Sequence, residues 1–161
     1  MQPVTPSRPV VEAEATDEAL NEAYERHLRG VEPLRLAYAS RDNGASGGLF
    51  ESNPWDRDDP FPIRAADVTE HCAKFPAWKV CYRTVTRANY CASIETVLPQ
   101  LNRDGPWKVE FREDGYRVTV ERPAFASERA AALGRAAVLA LLRAHNLLRP
   151  TPAATAQSNP V

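Results

Sequence analysis

The residues best suited to bind a metal ion or to act as a nucleophile lie close together in the middle of the chain. They are His71, Cys72, Cys81 and Cys91, with the carboxylates of Asp67 and Glu70 nearby. A structural zinc site needs four nitrogen or sulfur ligands, and pairs of ligands commonly stand two to four residues apart. Here the gaps between cysteines are eight and nine residues long. We therefore expect the cysteines to be small apolar residues in or near the core, with a zinc-binding or hydrolytic protein as the alternative.

Nucleophilic catalysis by a cysteine would require a neighbouring base and a third group that orients that base. The side chains of His71 and Cys72 are adjacent in sequence, so on a helix they diverge by about 100°. No nucleophile signature such as G-x-S-x-G flanks His71 or Cys72. The sequence predicts no enzyme and no cofactor.

Basic side chains in the second half of the chain raise the possibility of nucleic-acid binding. Lys108, Arg112 and Arg117 fall on one face of a predicted hairpin, and a basic face can follow a phosphate backbone. Glu110 and Glu121 dilute this charge, and the formal net charge of the chain is only -1. Nucleic-acid binding through the hairpin is therefore a second alternative, which we do not favour.

The elements that position these residues begin with the hairpin. Apolar and polar residues alternate through WKVEFREDGYRVTVE, residues 107–121, which predicts two strands with one apolar and one wet face. Asp114 and Gly115 are a type I′ turn signal. With these two residues at the centre of the turn, Phe111 faces Val118.

Three amphipathic helices are predicted around the hairpin. The first covers 16–28 with Thr16 as its N-cap, the second lies near 89–101, and the third covers 127–146 with Ser127 as its N-cap. We expect the third helix to lie across the apolar face of the hairpin. The residues predicted to be buried are Val109, Phe111, Val118, Leu133, Val138 and Leu141.

Between the first helix and the rest, Leu34, Leu36 and Tyr38 alternate like a strand, while Pro33 could open a short helix. We favour an irregular or helical extension. The following residues are rich in glycine and proline, which indicates a loop.

The composition, together with the positions of glycine and proline, predicts one small α+β domain. The chain has 161 residues, of which 43% are hydrophobic and 25% charged. We expect a small antiparallel sheet with a central hairpin packed against helices, a helix–sheet–helix sandwich, and an additional N-terminal helix. The predicted segments are a disordered tail (1–14), an N-terminal helical segment (15–40), a flexible linker (41–61), the α+β domain (62–148) and a second disordered tail (149–161).

Cysteine usage and apolar runs bear on the cellular compartment. The number of cysteines is odd and small, and the first residues contain no apolar signal stretch. The longest apolar run, 136–142, is far shorter than the ~20 residues that cross a bilayer. We therefore expect a cytoplasmic protein without membrane association.

Short motifs in the C-terminal half suggest a family. They are a helix carrying Ile94, Val97 and Leu101, the Trp-led hairpin, and a closing helix with Ala-Leu-Gly-Arg-Ala-Ala-Val-Leu from Ala132. In this order they resemble the phage ABA sandwich domain of tailed-phage accessory proteins. The resemblance implies a phage or prophage origin and a helix–sheet–helix fold, and the family has no agreed catalytic residues. We expect a non-enzymatic accessory protein that acts through protein–protein interaction in the host cytoplasm.

The first helix is a candidate for partner binding. It is acidic, and Leu20, Tyr24 and Leu28 form an apolar stripe that could lie in a groove of a protein partner. The alternative is that this stripe packs on the open face of the sandwich. The sequence indicates neither the partner's identity nor an oligomeric state.

Overall fold

The protein has a mixed α+β fold, as predicted. The computed structural model describes residues 9–41, 46–53 and 60–149. Most of the two predicted tails lies outside the described residues. The elements are, in chain order, β1 (Val11–Glu12), α1 (Asp17–Ala23) followed by a π-helical turn (Tyr24–Leu28), β2 (Leu34–Arg41), β3 (Ser46–Glu51), α2 (Ala65–Lys74), β4 (Trp78–Val85), a 3-10 turn (Ile94–Thr96), α3 (Leu98–Asp104), β5 (Trp107–Arg112), β6 (Gly115–Val120), β7 (Ala126–Ala130), α4 (Leu133–Ala144) and β8 (Leu148–Arg149).

The chain divides into two compact units. Unit 1 combines residues up to 31 with those from 88 onward, and unit 2 consists of residues 32–87. The predicted boundaries at 40/41 and 61/62 both fall inside unit 2. The reason is that β2, which was predicted to be an irregular or helical extension, pairs in antiparallel fashion with the distant strand β4.

The first helix begins where the sequence predicts. Thr16 is the N-cap, and its side chain accepts a hydrogen bond from the amide of Ala19 at 3.2 Å. Asp17 lies in the first turn, where the helix dipole favours an anion. The last five predicted residues form the π-helical turn, and Gly30 follows with φ +66°.

The hairpin forms, but its turn is one residue earlier than predicted. Arg112 pairs with Gly115, so the central residues are Glu113 and Asp114, and neither has a positive φ. A type I′ turn would need positive φ at both, so that prediction is wrong. Gly115 is needed for another reason: it has φ +127°, and a Cβ there would lie 2.4 Å from the carbonyl oxygen of Ala130.

The new register changes every cross-strand pair of the hairpin. Phe111 faces Tyr116, and Val118 faces Val109 instead of Phe111. The strand order of this sheet is β5-β6-β7, so β6 is central and β5 lies at an edge.

The last helix begins later than predicted, and Ser127 is not its N-cap. Residues 126–130 form β7, which pairs with β6 through neighbours such as Thr119 and Ser127. α4 starts at Leu133 and packs against β6 and β7. It approaches the preceding chain so closely that a Cβ at Gly134 would lie 2.6 Å from the carbonyl oxygen of Cys91.

The second predicted helix, 89–101, is also displaced. Its first half consists of turns and the 3-10 turn, and α3 runs from Leu98 to Asp104 with Pro99 in its first turn. Proline is compatible with that position because the first amides of a helix have no intrahelical acceptor.

The core of unit 1 lies between α4, the sheet and the first helix. Val118, Val138 and Leu141 are buried as predicted, and Leu133 is half-buried. Val109 and Phe111 are exposed, so their predicted burial is wrong. Their strand lies beyond the two strands that α4 covers.

Unit 2 contains a three-stranded sheet with the order β3-β2-β4. α2 packs on this sheet, and Val68 and Cys72 contact Ala37 and Ala39 of β2 in a small core. β3 lies where a loop was predicted.

The ends of the described chain meet in unit 1. β1 and β8 pair in parallel, with Val11 opposite Leu148. Among the described residues, no helix is both long and apolar enough to cross a membrane.

Candidate interaction surface

The outer edge of β5 offers backbone groups to a further strand. In the ladder between β5 and β6, the amide of Glu121 bonds the carbonyl of Pro106, which identifies this facing pair as a hydrogen-bonded one. Hydrogen-bonded pairs alternate with non-hydrogen-bonded pairs along an antiparallel ladder. Trp107, Val109 and Phe111 therefore direct their N–H and C=O groups away from β6. Within the described part of the chain, no strand pairs with this edge.

Two of these three residues, Val109 and Phe111, also have exposed apolar side chains. Val109 is 40% exposed and Phe111 71% exposed, although their partners across the ladder contribute to the core or its rim. The ring of Phe111 lies 5.1 Å from that of Tyr116. Trp107 is half-buried and donates from Nε1 to Oδ1 of Asn102 at 3.1 Å. We call the backbone edge and the three side chains of Trp107, Val109 and Phe111 the β5 edge.

The opposite face of the sheet carries the residues predicted for nucleic-acid binding. Lys108 and Arg112 lie 3.5 and 4.0 Å from the carboxylate oxygens of Glu110. Arg117 donates to the hydroxyl of Ser127 at 3.1 Å. These contacts leave a face of mixed charge.

A shallow concave surface of about 710 Å³ lies on this face, and acidic and basic side chains line it in equal number. The guanidinium of Arg129 bonds Asp114 and holds the pKa of that carboxyl below its usual range. The surface therefore lacks the continuous positive charge that a nucleic-acid backbone requires.

The residues predicted as zinc or nucleophile candidates do not form one site. His71, Cys72 and Cys81 belong to unit 2, whereas Cys91 belongs to unit 1. The ring of His71 lies 4.8 Å from that of Phe75 and is tilted against it by 44°. The described residues contain no group of three or more His, Cys, Asp or Glu side chains that could hold a metal ion.

The buried cysteines are also poor nucleophiles. Burial raises the pKa of the Cys72 thiol, and it raises that of Cys91 from 9.0 to about 12. Since the thiolate is the reactive form, both thiols are inert near neutral pH.

The apolar stripe of the first helix is not available to a partner. Leu20 and Tyr24 are fully buried and Leu28 is half-buried against the same core. The partner-binding prediction for this stripe is therefore wrong, and the alternative of packing within the domain holds.

No family model, curated protein or solved structure matches this chain. The resemblance to the phage ABA sandwich domain therefore stays a prediction.

A polar cluster beside the π-helical turn was not predicted from the sequence. The carboxylate of Glu25 is fully buried and accepts a hydrogen bond from the hydroxyl of Tyr90 at 2.6 Å. That hydroxyl accepts a second bond from Arg29 at 2.8 Å, and the ring of Tyr24 lies 4.7 Å from that of Tyr90. In sequence, Glu25 looks like one more surface charge of an acidic helix. A π-helical turn, which often marks a functional or strained site, places it inside.

Tyr24, Arg29 and Tyr90 border a cavity of about 370 Å³, but its two tyrosines are unsuited to act as bases. Burial raises the pKa of Tyr24 from 10.0 to about 12. The pKa of Tyr90 is raised by burial and then by its bond to Glu25. Both phenols are neutral near pH 7 and cannot serve as bases there. The cluster joins the first helix to the chain around Tyr90.

Proposed function

We propose that this protein is a non-enzymatic interaction module that binds other protein chains through the β5 edge. The observation that carries the proposal is the coincidence of two features on one strand. Trp107, Val109 and Phe111 present outward backbone hydrogen-bonding groups, and the latter two also present exposed apolar side chains. A protein segment that adds as a further strand would use both, since backbone bonds give affinity and alternate side chains give specificity.

Exposed edges of this kind are ordinarily protected, because they promote unwanted pairing. A bulge or a proline within the strand would protect β5, but its register with β6 is regular and Trp107, Val109 and Phe111 are apolar. The charged residues of β5, which are Lys108, Glu110 and Arg112, lie on the opposite face of the sheet. The edge therefore has the properties of a binding surface.

The proposal that the protein is a phage- or prophage-encoded accessory acting in the host cytoplasm is supported by the family resemblance alone. The β5 edge lies in the hairpin that contributes to this resemblance. An interaction role agrees with a family that has no agreed catalytic residues.

Site-specific photo-crosslinking in bacterial cells tests the proposal. Phe111 is replaced by p-benzoylphenylalanine in one variant, and Phe125 is replaced in a matched control. These two phenylalanines are almost equally exposed, at 71% and 72%, but only Phe111 lies on the β5 edge. We expect crosslinked protein adducts from position 111 and not from position 125.

A defined adduct that only position 111 gives, with a second copy of this chain or with one identified protein, supports binding at the β5 edge. Equal adducts from both positions, or none from position 111, would refute it.

A further inference from the structure

We infer that the β5 edge binds a second copy of this chain, with the two β5 strands antiparallel and Val109 facing Val109 of the other copy. This inference rests on the proposed function and names its partner. It follows from the backbone pattern and from the order of side chains along one strand.

The backbone restricts the possible registers. Trp107, Val109 and Phe111 point their N–H and C=O groups outward, so each must face another outward residue to exchange two hydrogen bonds. With Val109 facing itself, Trp107 faces Phe111 of the other copy and Phe111 faces Trp107. All outward groups of the strand are then paired.

The side chains on the apolar face match in this register. Residues that face each other across an antiparallel ladder lie on the same side of the sheet. The exposed ring of Phe111 meets the indole of Trp107, and the two Val109 side chains meet between them. Of these side chains, Val109 and Phe111 are exposed in the single chain, and Trp107 is half-buried at the rim of the core.

The charges on the opposite face match as well. In the same register, Lys108 of each copy faces Glu110 of the other, which places opposite charges together twice. Both side chains are solvent-accessible in the single chain, with 67% and 38% of their surfaces exposed.

Neighbouring registers lack this agreement. With Glu110 facing itself, the two Glu110 carboxylates oppose each other and Lys108 opposes Arg112 of the other copy. Like charges then repel at each of these positions. With Phe111 facing itself, Val109 meets the charged Glu113 on the apolar face. Of these three registers, the one centred on Val109 is the one in which both faces are complementary.

The resulting assembly has a two-fold axis perpendicular to the sheet. Such an interface is isologous. It is also closed, because the two β5 edges pair with each other and neither remains free to bind a third copy. The two sheets become one continuous sheet, with both copies of α4 on the same side.

Sedimentation velocity of the purified full chain over a concentration series tests the inference. We expect the mass to rise from the 17.8 kDa of one chain to twice that value. Val109→Pro removes the central outward N–H and leaves the bonds to β6 intact, since proline is tolerated where an edge N–H faces solvent. Val109→Thr keeps the N–H and the branched side chain and is the matched control. We expect Val109→Pro to be monomeric and Val109→Thr to dimerise.

A charge exchange tests the register. Lys108→Glu places like charges opposite each other at two symmetry-related places, and we expect it to weaken dimerisation about tenfold. Adding Glu110→Lys in the same chain should restore the affinity. Amide exchange of β6 confirms that each variant is folded.

A monomeric native protein, or a dimeric Val109→Pro variant that is folded, would overturn the inference. So would a double charge variant that stays as weak as Lys108→Glu. These results are distinguishable from failure of the proposed function: a monomeric protein that still gives adducts from position 111 binds a different chain at the same edge.

Discussion

Alanine substitutions at three glycines of unit 1 distinguish two contributions to the loss of stability, namely an unfavourable backbone conformation and a steric overlap. Gly30 has a positive φ, but a Cβ there would meet nothing within 4 Å. Gly134 is helical, and its Cβ would lie 2.6 Å from a backbone oxygen. Gly115 combines both features, with φ +127° and a contact of 2.4 Å. Substitution of each by alanine should therefore give three different losses of stability.

The magnitudes follow from these geometries. Gly30→Ala carries only the left-handed penalty, about 1–2 kcal/mol. Gly134→Ala forces a methyl group against backbone, which costs about 1–3 kcal/mol, and gains up to about 1 kcal/mol of helix propensity. Gly115→Ala suffers strain and overlap together, about 2–6 kcal/mol.

Amide hydrogen exchange of β6 measures all three variants on the same scale. β6 is the central strand of the unit 1 sheet, so the slowest exchange of its amides reports the opening free energy of that unit. We expect Gly115→Ala to lower this free energy more than either other variant. A stabilised Gly134→Ala variant, or a Gly115→Ala variant no weaker than Gly30→Ala, would refute the reasoning.

Further predictions concern the buried groups of unit 1. Tyr90→Phe removes the hydroxyl that donates to the buried carboxylate of Glu25 and should lower the free energy of unfolding by about 1.5–3 kcal/mol in urea titration, whereas an unchanged value would mean that this bond contributes little. Burial raises the pKa of Cys91 from 9.0 to about 12, so the folded protein retains this proton longer than the unfolded chain, and stability should fall between pH 9 and 12 by up to about 1.4 kcal/mol per pH unit. Cys91→Ala should reduce that slope and leave the part that comes from Tyr24 and Tyr90, and an equally steep alkaline titration of the variant would contradict the assignment. Leu20→Ala should cost about 2–5 kcal/mol because Leu20 is core, and a fully stable variant would return this helix to consideration as a partner surface.

Local patterns predicted the features that depend on neighbouring residues. The Thr16 cap and the hairpin both follow from residue types within a few positions of each other. β2 was predicted wrongly because the alternation of Leu34 and Leu36 competed with a proline signal. The interaction that makes this segment a strand is its pairing with β4, whose residues are distant in sequence.

The candidate site depends even more on tertiary placement. Val109 and Val118 have the same residue type, lie on the same face and pair with each other, yet only Val118 is buried. The difference is which strands α4 covers, and no local pattern encodes that. The β5 edge could be predicted as a strand but not as an exposed one.

The pairing of β2 with β4 has a consequence for how the chain folds during synthesis. Leu34 faces Val85, and Arg87 donates to the carbonyl of Glu32 at 2.9 Å, so both ends of unit 2 emerge side by side. Once unit 2 has folded, a long loop between the two segments of unit 1 is reduced to a short one, which lowers the entropy cost of its closure. β1 must still wait for β8, which leaves the ribosome on the order of ten seconds later. Folding of unit 2 thus brings the end of the first segment of unit 1 close to the start of its second segment before that second segment is complete.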